Sequence, residues 1–184
     1  MSTLSAPFGL EADYHPSGII RPARYTILTG YATGILQNQP VKIGTDGNIQ
    51  AAAIGDRAIG TFQGCEYTDA NGIRIYANQW TASTTGTSLV ANVTIDPATI
   101  YRIQANATMT VANIGEQYAT TVITAGNTVT GLSALMLDVS TSTTNALMQV
   151  IGLTPGPDND WGDPFPIVNV RISQHQFAAD VAAF

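Results

Sequence analysis

One cysteine, two histidines and a single lysine are all that 184 residues provide of three side chains on which much protein chemistry depends. The lone Cys65 excludes an intrachain disulfide. Two histidines, His15 and His175, are too few for the several-His metal sites that some β-barrels carry, and no metal or other cofactor is expected. Positive charge is scarce as well: 7 Lys+Arg stand against 13 Asp+Glu, for a formal charge of −6. No basic face is left to neutralise phosphates or an anionic bilayer, so neither nucleic acid nor a membrane is an expected partner. No apolar run approaches the ~18 residues that span a bilayer. The start, MSTLSAPFGLEADYH, lacks both a basic n-region and an apolar h-region, and a protein made and left in a cytosol is expected.

Catalytic patterns are missing too. The three glutamates, Glu11, Glu66 and Glu116, are scattered, and most aspartates stand in turn sequences, which leaves no glycosidase pair. There is no G-x-S-x-G elbow and no glycine-rich phosphate loop opening a helix. Cys65 lies mid-strand beside Glu66 and reads as a buried or half-buried thiol. The run Pro155 to Pro164 carries Asp158, Asp160 and Asp163, but Asp163 and Asn169 stand where an EF-hand needs Gly and Glu. An irregular Ca²⁺ loop stays open there beside a solvated, proline-stiffened connection with Trp161 as a packing lid. The chain is expected not to be an enzyme.

What the sequence does have is Thr 24, Ala 24 and Gly 17, with charged residues at only 11%, against ~25% in ordinary soluble domains. Such a surface repels other proteins weakly, which suits a molecule covered in an assembly. Short β-prone runs recur between turn signals. Pro40–Gly44 and Ile49–Ala53 flank Asp46-Gly47, and Ala58–Thr68 and Ile73–Trp80 flank Asn71-Gly72, predicting two hairpins. Leu89, Ala91, Val93 and Ile95 alternate with polar or outward positions, as do Tyr101, Ile103 and Ala105 around Arg102. Leu135–Asp138, Ala146–Leu153 and Ile167–Ser173 extend the series, and one helical turn is allowed at Thr110–Gly115. With no helices to cover sheet faces, two sheets must bury one another. The spacing Gly60-x-x-x-Gly64 reads as close backbone approach within a strand.

The organisation predicted is an extended N-terminal arm over 1–24, an all-β antiparallel β-sandwich body of jelly-roll type over 25–173, and a C-terminal tail over 174–184. The arm carries Pro7, Pro16 and Pro22 and no period, yet includes apolar teeth. Phe8, Leu10, Tyr14, Ile19 and Ile20, with Arg21 and Arg24, are the candidate partner-binding residues. The surface the arm meets is either a neighbour's or its own body's.

In order along the chain stand Gly9-Leu10, His15-Pro16-Ser17-Gly18, Arg21-Pro22, Gly30-Tyr31-Ala32 and Pro40-Val41-Lys42. Ile59-Gly60-Thr61-Phe62, Glu66-Tyr67-Thr68-Asp69, Asp96-Pro97, Tyr101-x-Ile103-Gln104, Ile114-Gly115 and Leu137-Asp138 follow. Val150-Ile151-Gly152-Leu153, Asp158-Asn159 and the terminal Val170-x-Ile172-x-x-His175-x-Phe177 complete the series. Taken together, they resemble the capsid decoration (cement, head-stabilising) proteins of tailed bacteriophages. The resemblance covers most of the chain and implies a jelly-roll body on the capsid exterior that bridges subunits of the major capsid protein. It further implies a virion protein made in the host bacterial cytoplasm, and a homo-oligomer, a trimer rather than a dimer. It supplies no catalytic residues. A carbohydrate-binding β-sandwich on a phage or cell surface is the alternative.

Overall fold

The computed structural model describes residues 2–121 and 126–183; Met1 and Phe184, which close the arm and tail ranges, lie outside the described residues. Strand accounts for 40% of the chain and helix for 2%, so the protein is all-β. Fourteen strands are formed: β1 (Glu11–Tyr14), β2 (Ala23–Tyr25), β3 (Pro40–Ile43), β4 (Ile49–Ala51), β5 (Gly60–Thr68), β6 (Arg74–Ala77) and β7 (Thr87–Thr94) in the first half. β8 (Ile100–Gln104), β9 (Gln117–Thr120), β10 (Gly126–Asn127), β11 (Leu132–Ser133), β12 (Leu137–Ser142), β13 (Met148–Leu153) and β14 (Ile167–Ile172) make up the second.

Twelve of the strands form two six-stranded sheets and β10 pairs β11 in a separate two-stranded ribbon; every pairing between these strands is antiparallel, consistent with a β-sandwich. The first runs β1-β8-β14-β13-β9-β12 and the second β2-β7-β5-β3-β4, with β6 on the far half of β5. β1 pairs β8 in one sheet while β2 pairs β7 in the other, so a two-stranded ribbon wraps from sheet to sheet. The rest of the first sheet comes from the C-terminal half of the chain.

Period-2 alternation decides which faces are buried. In β14, Val168, Val170 and Ile172 are buried while Ile167, Asn169 and Arg171 between them are half-buried. They join Tyr101, Ile103, Met148, Val150 and Leu137 in one apolar cluster. A second cluster gathers Ile35, Val41, Phe62, Trp80, Ala91 and Val93 of the other sheet. Both predicted hairpins are present, turning through Gly47 and Gly72 at φ +76° and +79°. The single helical turn is a 3-10 turn at Val111–Asn113, where Asn113 Oδ1 accepts from the Thr110 amide at 2.7 Å, and Gly115 closes it at φ +92°.

β1, β2 and β9 are strands that apolar alternation did not predict. β1 reads Glu-Ala-Asp-Tyr and β9 Gln-Tyr-Ala-Thr, with too few apolar residues to show a period, and Gln117 and Thr120 of β9 are polar yet buried. Glu11 of β1 accepts from Arg102 of β8 at 2.8 Å.

The segment 2–25 is woven into both sheets. Ser2 is buried; its amide and hydroxyl donate to the Asp158 carbonyl at 3.2 and 2.7 Å, and its carbonyl accepts from Phe165 at 2.8 Å. Gln104 accepts from the Ala6 amide and donates to the Leu4 carbonyl at 2.8 and 2.9 Å. The C-terminal segment also ties the sheets together: Ala58 bonds Gln174 and Gln176 through its backbone, and the Gln176 side chain bonds both backbone groups of Ile43 at 2.8 and 3.2 Å.

Candidate partner-binding surface

Of the seven predicted contact residues, the structure exposes Tyr14, Ile19, Arg21 and Arg24, half-buries Phe8 and Ile20, and buries Leu10. Leu10 is 0% exposed, and its side chain belongs to the core cluster of the first sheet. It is therefore a core residue and not a partner anchor: β1 pairing lays the chain down just after it, and Leu10 N donates to Asn38 O at 2.8 Å. Phe8 is half-buried, with the Arg102 guanidinium 5.7 Å from its ring centroid. Arg24 stays exposed, its side chain at 64%, and pairs at the surface with Glu66 of its own chain. Glu66 also holds Arg74 at 2.9 Å, so one largely shielded carboxylate serves two guanidinium groups.

Tyr14, Ile19 and Arg21 remain outward, Tyr14 at 54% and Ile19 at 55% exposure, with Ile20 half-buried beside them. They stand on or next to residues 15–22, the crossover from β1 to β2. Among the described residues Arg21 forms no ion pair, whereas the other N-terminal arginine does. The crossover is tethered by His15, whose Nε2 lies 3.0 Å from Asp96 Oδ2. Further apolar side chains are exposed elsewhere: Leu28, Ile54, Ile73, Tyr76, Val111 and Ile114 among them. Nothing in the local sequence marks these, because an outward Ile in a strand or turn carries the same letter as an inward one.

The chemistry available elsewhere is slight. Cys65 is buried and its thiol is pushed up to about 11 by burial, the Sγ donating to Gln79 O at 3.2 Å. A thiol so disfavoured as thiolate is a poor nucleophile. His175 is 1% exposed; burial holds its imidazole below the usual value. Its Nδ1 accepts from the Phe177 amide at 3.0 Å, so Nε2 carries the proton and donates to Ile95 O at 3.0 Å. In the 155–163 loop, Asn159 bonds Thr154 and Ile167 through three contacts of 2.8 to 2.9 Å. Asp163 accepts from Ser2 and from the Asp160 amide, and these bonds hold its carboxyl below the usual range. Trp161 packs against the core of the first sheet. Among the described residues no three His, Cys, Asp or Glu side chains gather as metal ligands. Trp80 is 1% exposed and Trp161 half-buried, so neither indole presents a free face for stacking.

No protein family, curated protein or solved structure matches this chain.

Proposed function

We propose that this protein is a structural component of a virion, decorating the outside of a tailed-bacteriophage capsid and stabilising it by bridging subunits of the major capsid protein. The observation that carries the reading is the crossover 15–22 with the adjoining end of β1: a segment anchored at both ends by β-pairing, where Tyr14 and Ile19 are exposed and Arg21 forms no ion pair among the described residues. Apolar anchors of this size contribute ~1.5 to 3 kcal/mol each when buried. A pre-ordered segment loses little entropy on docking, which favours its use at an interface. Low charge density and the resemblance set out above support the same role, and area with hydrogen-bonded edges fulfils it without any reaction.

The contact surface differs from the one expected of a free arm. Leu10 leaves it, while Tyr14, Ile19, Ile20 and Arg21 stay, and Arg24 remains exposed within its ion pair to Glu66. The assembly proposed is a homo-oligomer, since closed symmetry covers weakly charged surface, and the resemblance set out above favours a trimer over a dimer. The direct test is quantitative mass spectrometry of purified virions from the source. The chain is expected in a fixed stoichiometric ratio to the shell protein. Its absence from virions removes the proposal.

A further inference from the structure

We infer that the open edge of β6 is a self-association surface, on which β6 of a second copy pairs antiparallel about a two-fold axis at Ile75. The pairing is a property of the isolated chain and does not depend on the capsid role. Among the described residues β6 pairs with β5 alone. Their register runs from Cys65–Ala77 to Thr68–Arg74 without a bulge and continues into the turn, where the Asp69 amide donates to the Ile73 carbonyl at 2.9 Å. Hydrogen-bonded positions alternate along an antiparallel strand. Ile73, Ile75 and Ala77 therefore direct their backbone groups at β5, and the N–H and C=O groups of Arg74 and Tyr76 face the open side. Tyr76 is 74% exposed, so no described residue covers that side.

The other sheet edges are closed or blunted. In β4 the Ile49 amide donates to the Thr26 carbonyl at 2.9 Å and the Ala51 amide to Tyr31 Oη at 3.1 Å. In β12 the Leu137 carbonyl accepts from the Asn106 amide and the Val139 amide donates to Asn106 Oδ1, both at 3.0 Å. β1 carries a bulge between Ala12 and Tyr14, and β2 follows Pro22. Bulges, prolines and charges are what keep an edge from pairing. β6 has no bulge and no proline, and its one charge is drawn off the edge. The Arg74 guanidinium lies back across the sheet, bonding Glu66 of β5 at 2.9 Å and the Ser88 carbonyl of β7 at 3.2 Å.

That the occupant is a second copy follows from the self-complementarity of the edge. Centred on Ile75, two-fold pairing sets Arg74 opposite Tyr76 of the second copy and Tyr76 opposite its Arg74. Both are hydrogen-bonded pairs, so four backbone bonds form. Each guanidinium, already 5.9 Å from the ring of its own Tyr76, gains a second ring beside it, and no like charges stand directly opposite. A centre at Arg74 sets arginine against arginine. A centre at Tyr76 needs position 78, where the β10–β11 ribbon is already docked through Asn78 Nδ2 to the Thr130 carbonyl at 2.8 Å. One short strand pair buries far less than the ~1,200 Å² of a stable interface, so the contact is of roughly millimolar strength. It stays open at the tens of micromolar where a trimer is expected and closes where copies are crowded.

Two measurements on the full chain test the pairing. In the wild type, amide NMR shifts of residues 74–77 are expected to move with protein concentration between about 0.05 and 1 mM. Disulfide trapping then tests the register. Across the two-fold, position 75 faces its own copy as a non-hydrogen-bonded pair with Cα atoms ~4.5 Å apart, within the ~4.4 to 6.8 Å that a disulfide spans. In a glutathione buffer Ile75→Cys is expected to give at least ~10-fold more covalent dimer than Ala70→Cys on the exposed hairpin tip, native Cys65 being buried. Adding Tyr76→Pro removes an outward amide that an edge strand can spare, and is expected to bring the yield down to that of Ala70→Cys, whereas Tyr76→Thr keeps the amide and most of the yield. Wild-type shifts independent of concentration overturn the inference whatever the variants do. So does a dimer yield from Ile75→Cys no higher than from Ala70→Cys; an edge reserved for a strand of another protein gives both of these results.

Discussion

Gly60 occupies a position that only glycine fits. Its φ is +149°, and a Cβ built there lies 1.6 Å from the Thr94 carbonyl oxygen on the neighbouring strand. Neither atom can give way, since both belong to the backbone of paired strands. Gly60→Ala is therefore expected to destabilise the protein by more than ~2 kcal/mol, lowering the melting temperature by at least about 5 °C in a thermal denaturation series. His175 sets a pH dependence at the same scale. Its folded pKa is depressed from 6.5, so the unfolded chain binds the proton more readily. Stability is thus fully present above about 6.5 and is lost as pH falls through the range below it. The lowered carboxyls of Asp46, Asp56, Asp138 and Asp163 act only beneath the ordinary aspartate value of 3.8, so the two windows separate. Melting temperatures from pH 7.5 to 5, a range spanning the ordinary histidine value, are expected to decline for the wild type and stay flatter for His175→Gln.

At the scale of elements, the segment that reads as an arm behaves as two edge strands. Deleting residues 1–24 removes β1, most of β2, the buried Ser2 and Leu10, and exposes the β8 and β7 edges. The truncated chain is expected to unfold or aggregate, and Leu10→Ala alone to cost ~2 to 5 kcal/mol in denaturant titration. A truncated protein that melts like the full chain contradicts this placement. The hairpins at Asp46-Gly47 and Asn71-Gly72 and the alternation in β7, β8 and β14 were legible because turn residues and apolar period both mark them. β1 was not, because its pairing with β8 rests on backbone bonds and on Glu11 to Arg102, a contact 91 residues distant in sequence. The Arg24–Glu66 pair was not legible for the same reason: the two residues are 42 apart in sequence. Ile19 lies in the crossover, where proline and glycine keep the chain out of regular structure, whereas Tyr14 ends β1.

At the scale of the whole molecule, two six-stranded sheets are tied together by both terminal segments. Under the proposed assembly, light scattering coupled to size exclusion is expected to report a trimer at tens of micromolar, and a monomer there confines any oligomer to the capsid itself. The claim that joins these scales is that the protein strengthens a capsid by docking through Tyr14, Ile19, Ile20 and Arg21. Measuring the temperature at which heads release DNA, with and without added protein, tests it most directly. The wild-type protein is expected to raise that temperature, and the Tyr14→Ser, Ile19→Ser double variant, folded but stripped of its outward apolar side chains, to lose most of the effect. A release temperature unchanged by the wild-type protein, or raised equally by the double variant, contradicts the account.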